Sequence, residues 1–369
     1  MANADDMLTL RVGGQNYAGW TGIRIPLSLE QLAGSFSLSL TERWPGQPTS
    51  WAIPPGEFCE VLIGRGEGGG TPVISGYVDT VNVGYDGQSH SIDVAGRDKA
   101  GDLVDCSAPI ITYKDLTFGQ IADKLLAPYN MQLTWQVAQG KKIPVFTVQP
   151  GESVYRALDR LAKQEAILLI SDAQTTGGLI ATRAGKGGFA GTALRFGQNI
   201  KAATGEHSHL DLFSEISVQA QQGAGGAEEF NVSKSAPKGT VRRNSGLAGS
   251  SAVLRHRPLL ILAETQADGA RCQIRAEWEA ARRQAQAQRY VITVQGWRRR
   301  NGELWRLNQI VSVWCPWLRV DGDLLIVGVN YVLDDQGTRT ELIVIDTQAY
   351  VPLPEIPAPG KGKKFDLIG

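Results

Sequence analysis

Sulfur is scarce in this sequence. Of 369 residues only four are cysteine (Cys59, Cys106, Cys272, Cys315) and three are methionine. The cysteines lie far apart and form no Cys-x-x-Cys pair, so the expectation is buried, reduced thiols in a cytosolically made protein rather than a disulfide framework or zinc knuckle. No stretch approaches 18 uninterrupted apolar residues, so no transmembrane helix and no membrane anchor are expected. The opening MANADDMLTL lacks the basic flank and apolar core of a secretion signal. Net charge is also missing, since 37 Lys+Arg balance 37 Asp+Glu.

Catalytic signatures are missing too. There is no Gly-x-Ser-x-Gly elbow and no His-Glu-x-x-His, and Gly185-Lys186 lacks the glycine five residues earlier that a Walker loop requires. Gly64 to Gly70 joins two strands and leads into no helix, so it is not read as a phosphate loop. Histidine is rare, and Glu206-His207-Ser208-His209-Leu210-Asp211 is the best metal candidate. His-x-His on a strand turns both rings to one face. No third ligand can be named, so a solvated polar loop is the reading taken; His90 and His256 are isolated. Asp102 with Asp105, and Asp321 with Asp323, sit in turns, where Asp is favoured for backbone hydrogen bonding. No pair is marked out as the two carboxylates of a glycosidase. The expectation is no enzyme and no cofactor.

What is abundant is glycine, 43 residues, interleaved with β-branched runs. Leu8–Val12, Trp20–Leu27, Ser35–Thr41, Glu57–Ile63 and Val73–Val83 read as strands, with clean alternation in Ser35-Phe36-Ser37-Leu38-Ser39-Leu40. Gly13-Gly14 turns the first strand. Trp44-Pro45-Gly46 begins a loop that Pro54-Pro55-Gly56 ends, and Arg65–Thr71 is a flexible connection. Tyr85-Asp86-Gly87-Gln88 between two alternating runs is a hairpin signal, because glycine accepts the positive φ of the turn. Lys99–Cys106 is a short helical turn or loop. These features predict a small antiparallel barrel over residues 1–100.

After Pro109 the period changes. Thr117 caps a helix over Phe118–Ala127 that Pro128 helps to stop, with Ile121, Leu125 and Leu126 on one face. Leu133–Val137 and Phe146–Val148 are short strands. Pro150-Gly151-Glu152-Ser153 opens a second helix with Val154, Leu158 and Leu161 inward, and Ile167–Ile170 with Leu179–Thr182 closes as a hairpin. Residues 101–195 are read as an inserted α+β domain. Leu212–Gln221, Phe230–Lys234, Val253–Ala263 and Tyr290–Trp297 are further strand candidates; Gln222–Ala227 is a glycine-rich turn, and 237–251 is polar and basic. Asp268–Arg289 is the longest helix candidate, with an apolar stripe of Ile274, Trp278, Ala281 and Ala285.

Charge is distributed unevenly. Residues 1–110 carry net −7, 111–237 net +1, 238–306 net +9 and 307–369 net −3. Arg271, Arg275, Arg282, Arg283 and Arg289 flank the helical stripe, and Arg298-Arg299-Arg300 lies between Trp297 and Trp305. The readings are a nucleic-acid contact, a solvated helix face, or a docking surface for the acidic first domain of an adjacent subunit; the last is preferred, with Arg271, Arg275, Arg282 and Arg283 as inter-subunit contacts.

Shifting by 252 lays Phe58–Ile63 on Ile310–Cys315 and Val73–Gly76 on Leu325–Gly328, and each copy then enters a hairpin, at Asp86-Gly87 and at Gln336-Gly337. This predicts a duplicated barrel. The expected fold is mainly β with α+β insertions: a first barrel (1–100), the inserted domain (101–195), a second barrel (196–237 and 307–350), a basic helix-containing insertion (238–306), and a Pro-rich tail (351–369) that includes Pro352–Pro359 and Lys361, Lys363 and Lys364.

The run Gly96-Arg97-Asp98-Lys99 with Asp102-Leu103-Val104-Asp105, then Pro150-Gly151-Glu152-Ser153 and the terminal Leu325-Ile326-Val327, resembles the baseplate hub proteins of contractile-tailed phages. The likeness is to the late-control-D type, with the tail hub of Mu-like phages the best match. It covers about residues 7–350. The Gly66–Gly70 loop and the Pro-rich tail have no counterpart in the family pattern. Gly96, Arg97, Asp98, Asp102, Leu103 and Asp105 are structural signature residues, and no catalytic or metal residue is carried over. The resemblance implies a virion tail baseplate protein made in the host cytoplasm. It implies a homotrimeric, pseudo-sixfold ring between a hexameric tail tube and a trimeric central spike, in contact with other baseplate proteins, with nucleic acid at most passing through. Two other readings stand beside it: a cell-wall protein that binds or cleaves peptidoglycan through residues 110–190, and a DNA-binding tail component.

Overall fold

The computed structural model describes residues 7–42, 53–64, 70–86, 90–173, 177–220, 237–242, 255–263 and 269–347. The loop begun at Trp44, the Arg65–Gly69 connection, the Gly87-Gln88 turn tip, the 222–227 turn, the Phe230–Lys234 strand candidate, most of 237–251 and the Pro-rich tail lie outside the described residues.

The first unit holds β1 (Leu8–Val12), β2 (Gln15–Tyr17), β3 (Gly22–Ser28), β4 (Ser35–Glu42), β5 (Phe58–Ile63), β6 (Thr71–Tyr85) and β7 (His90–Asp98), followed by the short helix α1 (Gly101–Asp105). Alternation sets its faces: Phe36 and Leu38 of β4 are buried while Ser37 between them is exposed. β6 and β7 form the expected hairpin, Tyr85 opposite His90.

The second unit contains β8 (Thr112–Leu116), α2 (Phe118–Leu126), β9 (Leu133–Trp135), β10 (Ile143–Thr147), α3 (Val154–Gln164), β11 (Leu168–Asp172) and β12 (Gly178–Thr182). Thr117 starts α2 in a capping box, its hydroxyl accepting from the Gln120 N–H while the Gln120 side chain accepts from the Thr117 N–H. Ile121 and Leu125 of α2 and Val154, Leu158 and Leu161 of α3 meet Phe118 and Phe146 in a core of their own.

The chain then returns to sheet: β13 (Leu194–Arg195), β14 (Ala202–His207), β15 (Glu215–Gln219), β16 (Lys238–Arg242), β17 (Pro258–Leu262), α4 (Gly269–Gln286), β18 (Gln288–Gln295), β19 (Ile310–Cys315), β20 (Val320–Asp334) and β21 (Gly337–Asp346). Here the arrangement departs from the expected insertion at 238–306. Tyr290, Ile292 and Val294 point inward, so β18 lies in the main sheet between β14 and β21. β15, β16 and β17 instead form a separate three-stranded sheet against α4.

The two expected barrels do not close among the described residues. The first unit runs as an open sheet β3-β4-β7-β6-β5-β1, the other as β14-β18-β21-β20-β19-β13. β20 is 15 residues long and only its first six pair with β19. Its far half, Gly328–Leu333, pairs antiparallel with Ser28–Ile23 of β3, joining both units into one 13-stranded sheet.

The duplication is visible strand by strand. β5 and β19 have 6 residues each, β6 and β20 have 15 each, and β7 and β21 have 9 and 10. The expected shift of 252 relates β5 to β19, but ladder pairs show that 248 relates β6 to β20 and β7 to β21. Gly76 therefore matches Leu324, not Gly328. The cause is a longer connection between β5 and β6 and a bulge at Val61/Leu62 that the β19–β20 ladder lacks. Both hairpins skip one residue, Asp79 in β6 and Val327 in β20, and a shift of 248 takes one to the other. β-bulges mark fixed bends in a sheet, so a matching bulge is a structural trace of the repeat. The match ends at the outer strand: β1 runs antiparallel to β5, whereas β13 runs parallel to β19.

Candidate functional site

The signature residues come together where β7 leaves the sheet. Gly96 has no room for a side chain: a Cβ there would lie 2.2 Å from the Tyr77 carbonyl oxygen and 2.7 Å from the Phe36 ring. Arg97 bridges two acids, Nε to Asp79 at 2.9 Å and Nη2 to Asp105 at 2.8 Å. It therefore ties the bulge residue of β6 to the end of α1, and the guanidinium holds the Asp105 carboxyl below its usual range.

Asp98 is buried. One oxygen accepts from the Gly34 N–H at 2.6 Å and the other from the Ala100 N–H at 3.0 Å. Burial pushes its carboxyl up from 3.8 to about 6, against the opposing pull of those two N–H groups and the Ser171 hydroxyl. Leu103 seals the helix onto the second core, where it is fully buried. Asp102, in the first turn of α1, offers its backbone carbonyl to the Cys106 N–H. The cluster is a clasp between the first and second units, reinforced by the Ser75 hydroxyl donating to the Ala173 carbonyl at 2.8 Å.

Pro150-Gly151-Glu152-Ser153 is a second clasp. Gly151 adopts φ +77°, left-handed backbone that glycine takes without strain. Ser153 caps α3 by accepting from the Arg156 N–H. Glu152 is buried against Arg160, Oε1 to Nε at 2.6 Å and Oε2 to Nη2 at 2.8 Å, and Arg160 also reaches the Thr147 carbonyl and lies 4.6 Å from the Phe146 ring centre.

The four arginines expected at a subunit contact are all engaged within their own chain. Arg271 pairs with Glu165 at 3.2 Å. Arg275 and Arg283 meet the buried Glu279 at 2.8 and 3.4 Å, with Arg282 at 4.0 Å. Arg275 and Arg282 stack on Trp278, and Arg283 lies over Phe213. Trp278 lies on the expected apolar stripe, but Glu279 escapes a reading that scores helix positions as apolar stripe or charged flank; a glutamate four residues from both Arg275 and Arg283 was the available signal.

The Arg298-Arg299-Arg300 run is no stripe either. Arg298 donates to the Gly302 and Ile63 carbonyls, Arg299 is buried against the Ala190 carbonyl and Glu303, and Arg300 alone is exposed. β14 ends at His207, which sets its ring 5.7 Å from that of Tyr290, while His209 lies beyond the strand. The two rings therefore do not share a strand face, and among the described residues no three His, Cys, Asp or Glu gather as a metal site. A cleft of about 460 Å³ lies where the units meet, lined by residues that include Asp98, Gln136, Ser171 and Asn308.

This geometry has counterparts in known proteins. Residues 7–98 match the family model of the Mu phage baseplate assembly protein GpP-like N-terminal domain. Residues 100–183 match the second domain of gp44-like baseplate hub proteins, and 268–353 the fourth domain of Mu phage baseplate assembly protein GpP. The baseplate hub protein gp44 of Escherichia phage Mu is 32% identical over 351 residues, 93% of this chain and 89% of that protein. The 43 kDa tail protein of prophage MuSo2 from Shewanella oneidensis superposes with a TM-score of 0.80 at 32% identity, covering 94% of this chain and all of that one. A tail protein from Neisseria meningitidis MC58 shares the fold at 24% identity, with a TM-score of 0.78 and coverage of 94% and 98%. The clasps, the duplicated meander and these matches lead to one conclusion: the chain belongs to the gp44-like family of Mu-type baseplate hub proteins, structural components of the phage tail baseplate.

Proposed function

We propose that three copies of the chain close into a ring at the centre of the baseplate. The ring joins a hexameric tail tube on one side to a trimeric spike on the other, and does so without catalysis. The observation that carries this reading is the internal repeat. Two similar β units per chain give six in a trimer, so one ring presents quasi-sixfold symmetry to the tube and true threefold symmetry to the spike. A closed ring of identical chains needs head-to-tail contacts, each joining two different surfaces. Nucleic acid passes at most through the opening. Synthesis in the host cytoplasm agrees with four free cysteines, one of them, Cys106, exposed.

Light scattering on the purified protein across a dilution series tests the reading. Three chains of 39.8 kDa give about 119 kDa. A species of that mass at micromolar concentration is expected, and a monomer at every concentration overturns the ring.

A further inference from the structure

A second pocket, also of about 460 Å³, opens between the end of β18, the turn at 298–304 and the segment around β13. Arg195, Arg298, Arg299 and Arg300 all line it, and among the described residues no acid does. Glu303 pairs with Arg299 but stands outside the wall. Arg195 and Arg300 are exposed, and their guanidiniums make no hydrogen bond or ion pair among the described residues.

The turn that carries three of these arginines is fixed by its own backbone. The Arg299 N–H donates to the Glu303 carbonyl at 2.7 Å, and the Gly302 N–H to the Arg299 carbonyl at 2.9 Å. Arg298 is tied to the neutral carbonyls of Gly302 and Ile63. Arg299 is 5% exposed. Burial holds its guanidinium below the usual arginine value despite Glu303, and Arg306 adds repulsion. Its Nε has no acceptor among the described residues; nor has Nε1 of Trp305, which is 2% exposed, and the Thr192 hydroxyl is also without a partner there. All three residues line the pocket. A buried donor without an acceptor forfeits the hydrogen bonds it made to water, so such groups in a native fold point to a molecule that supplies the acceptor.

We propose that this pocket binds a phosphoryl oxyanion, with Arg299 and Trp305 at its floor and Arg195 and Arg300 at its mouth. Positive charge on the wall, with no acid to answer it, requires an anionic occupant. A single carboxylate is satisfied by one guanidinium in a two-point pair. Several guanidiniums, an indole N–H and a hydroxyl around one space suit instead a multivalent oxyanion that accepts on several sides, the ligand whose geometry the arginine fork matches. The volume leaves room for more than one phosphoryl group, so a diphosphate fills it better than a single phosphate. The site lies within one chain and does not depend on the ring.

Isothermal titration calorimetry of the full-length protein with inorganic pyrophosphate, at constant ionic strength, tests the site. Saturable binding of one pyrophosphate per chain is expected. Arg195→Gln with Arg300→Gln removes two exposed guanidiniums and leaves the core untouched, and should weaken that binding at least about tenfold. Lys114→Gln with Lys142→Gln takes the same charge from exposed side chains of the second unit, and should change it less than about twofold, since only diffuse attraction is lost. Absence of binding to the parent, or equal weakening in the two variants, overturns the proposal. A competing oligonucleotide that carries only phosphodiesters then names the source. Displacement of pyrophosphate assigns the pocket to a nucleic-acid backbone, and no displacement assigns it to a free or terminal phosphate; the phosphoryl site stands in both cases.

Discussion

Asp98 carries the sharpest conflict at the residue scale. Its carboxylate accepts two backbone N–H groups, which favour the charged form, yet burial outweighs them and lifts it to about 6. A carboxyl whose folded value lies above its ordinary 3.8 binds its proton more tightly when folded. Its contribution to stability is complete below about pH 4 and is lost as pH rises through 6, a fall of roughly 3 kcal/mol. Asp98→Asn should remove that slope: urea midpoints at pH 4.5 and 7 should differ less for the variant than for the parent. Equal differences would mean that Asp98 is not the group responsible. Glu152 is the opposite case, a buried charge with a full partner. Glu152→Ala strands Arg160 in the core and should cost about 3–5 kcal/mol by chemical denaturation. Both residues stand in runs singled out by family resemblance, but their chemistry was not legible. A sequence shows that Gly96-Arg97-Asp98 ends a strand. It does not show that the acid turns inward to tie down Gly34, which lies 64 positions away.

At the scale of elements, local signals were read well and long-range partners poorly. Thr117, Ser153 and the Gly13-Gly14 turn act through neighbours a few residues away, so caps, strands and the β6–β7 hairpin fall where alternation and turn chemistry put them. The assignment of β18 to the main sheet depends instead on pairing with β21, 50 residues downstream. α4 shows the same limit. Its stripe was visible, but Trp278 shares one buried cluster with Leu29, Leu168, Leu325, Val327 and Ile345, which come from three parts of the chain. Trp278 therefore fastens the units together rather than merely lining a helix. Trp278→Ala should cost about 3–5 kcal/mol and, by removing the shared contact, split a single unfolding transition in calorimetry into two. One transition at a lower temperature would show that the units stay coupled without it.

For the whole molecule, charge and symmetry make different predictions about assembly. Segment totals of −7 and +9 invite an electrostatic contact between neighbouring subunits. The folded chain answers most of that positive charge internally: Glu279 and Glu165 take up the α4 arginines, Glu30 takes Arg289, and carbonyls take Arg298 and Arg299. What remains exposed at the far end of β6 is Val83 and Tyr85, and the burial of such apolar side chains is not screened as ionic strength rises. Screening lengths shrink from roughly 14 Å at 50 mM salt to about 4 Å at 500 mM, which weakens a contact made of opposed surface charges and hardly touches one made of strand hydrogen bonds and buried apolar area. The concentration at half-dissociation, followed by light scattering, should therefore shift less than about threefold over that range. A shift of a hundredfold would return the subunit contact to the arginines.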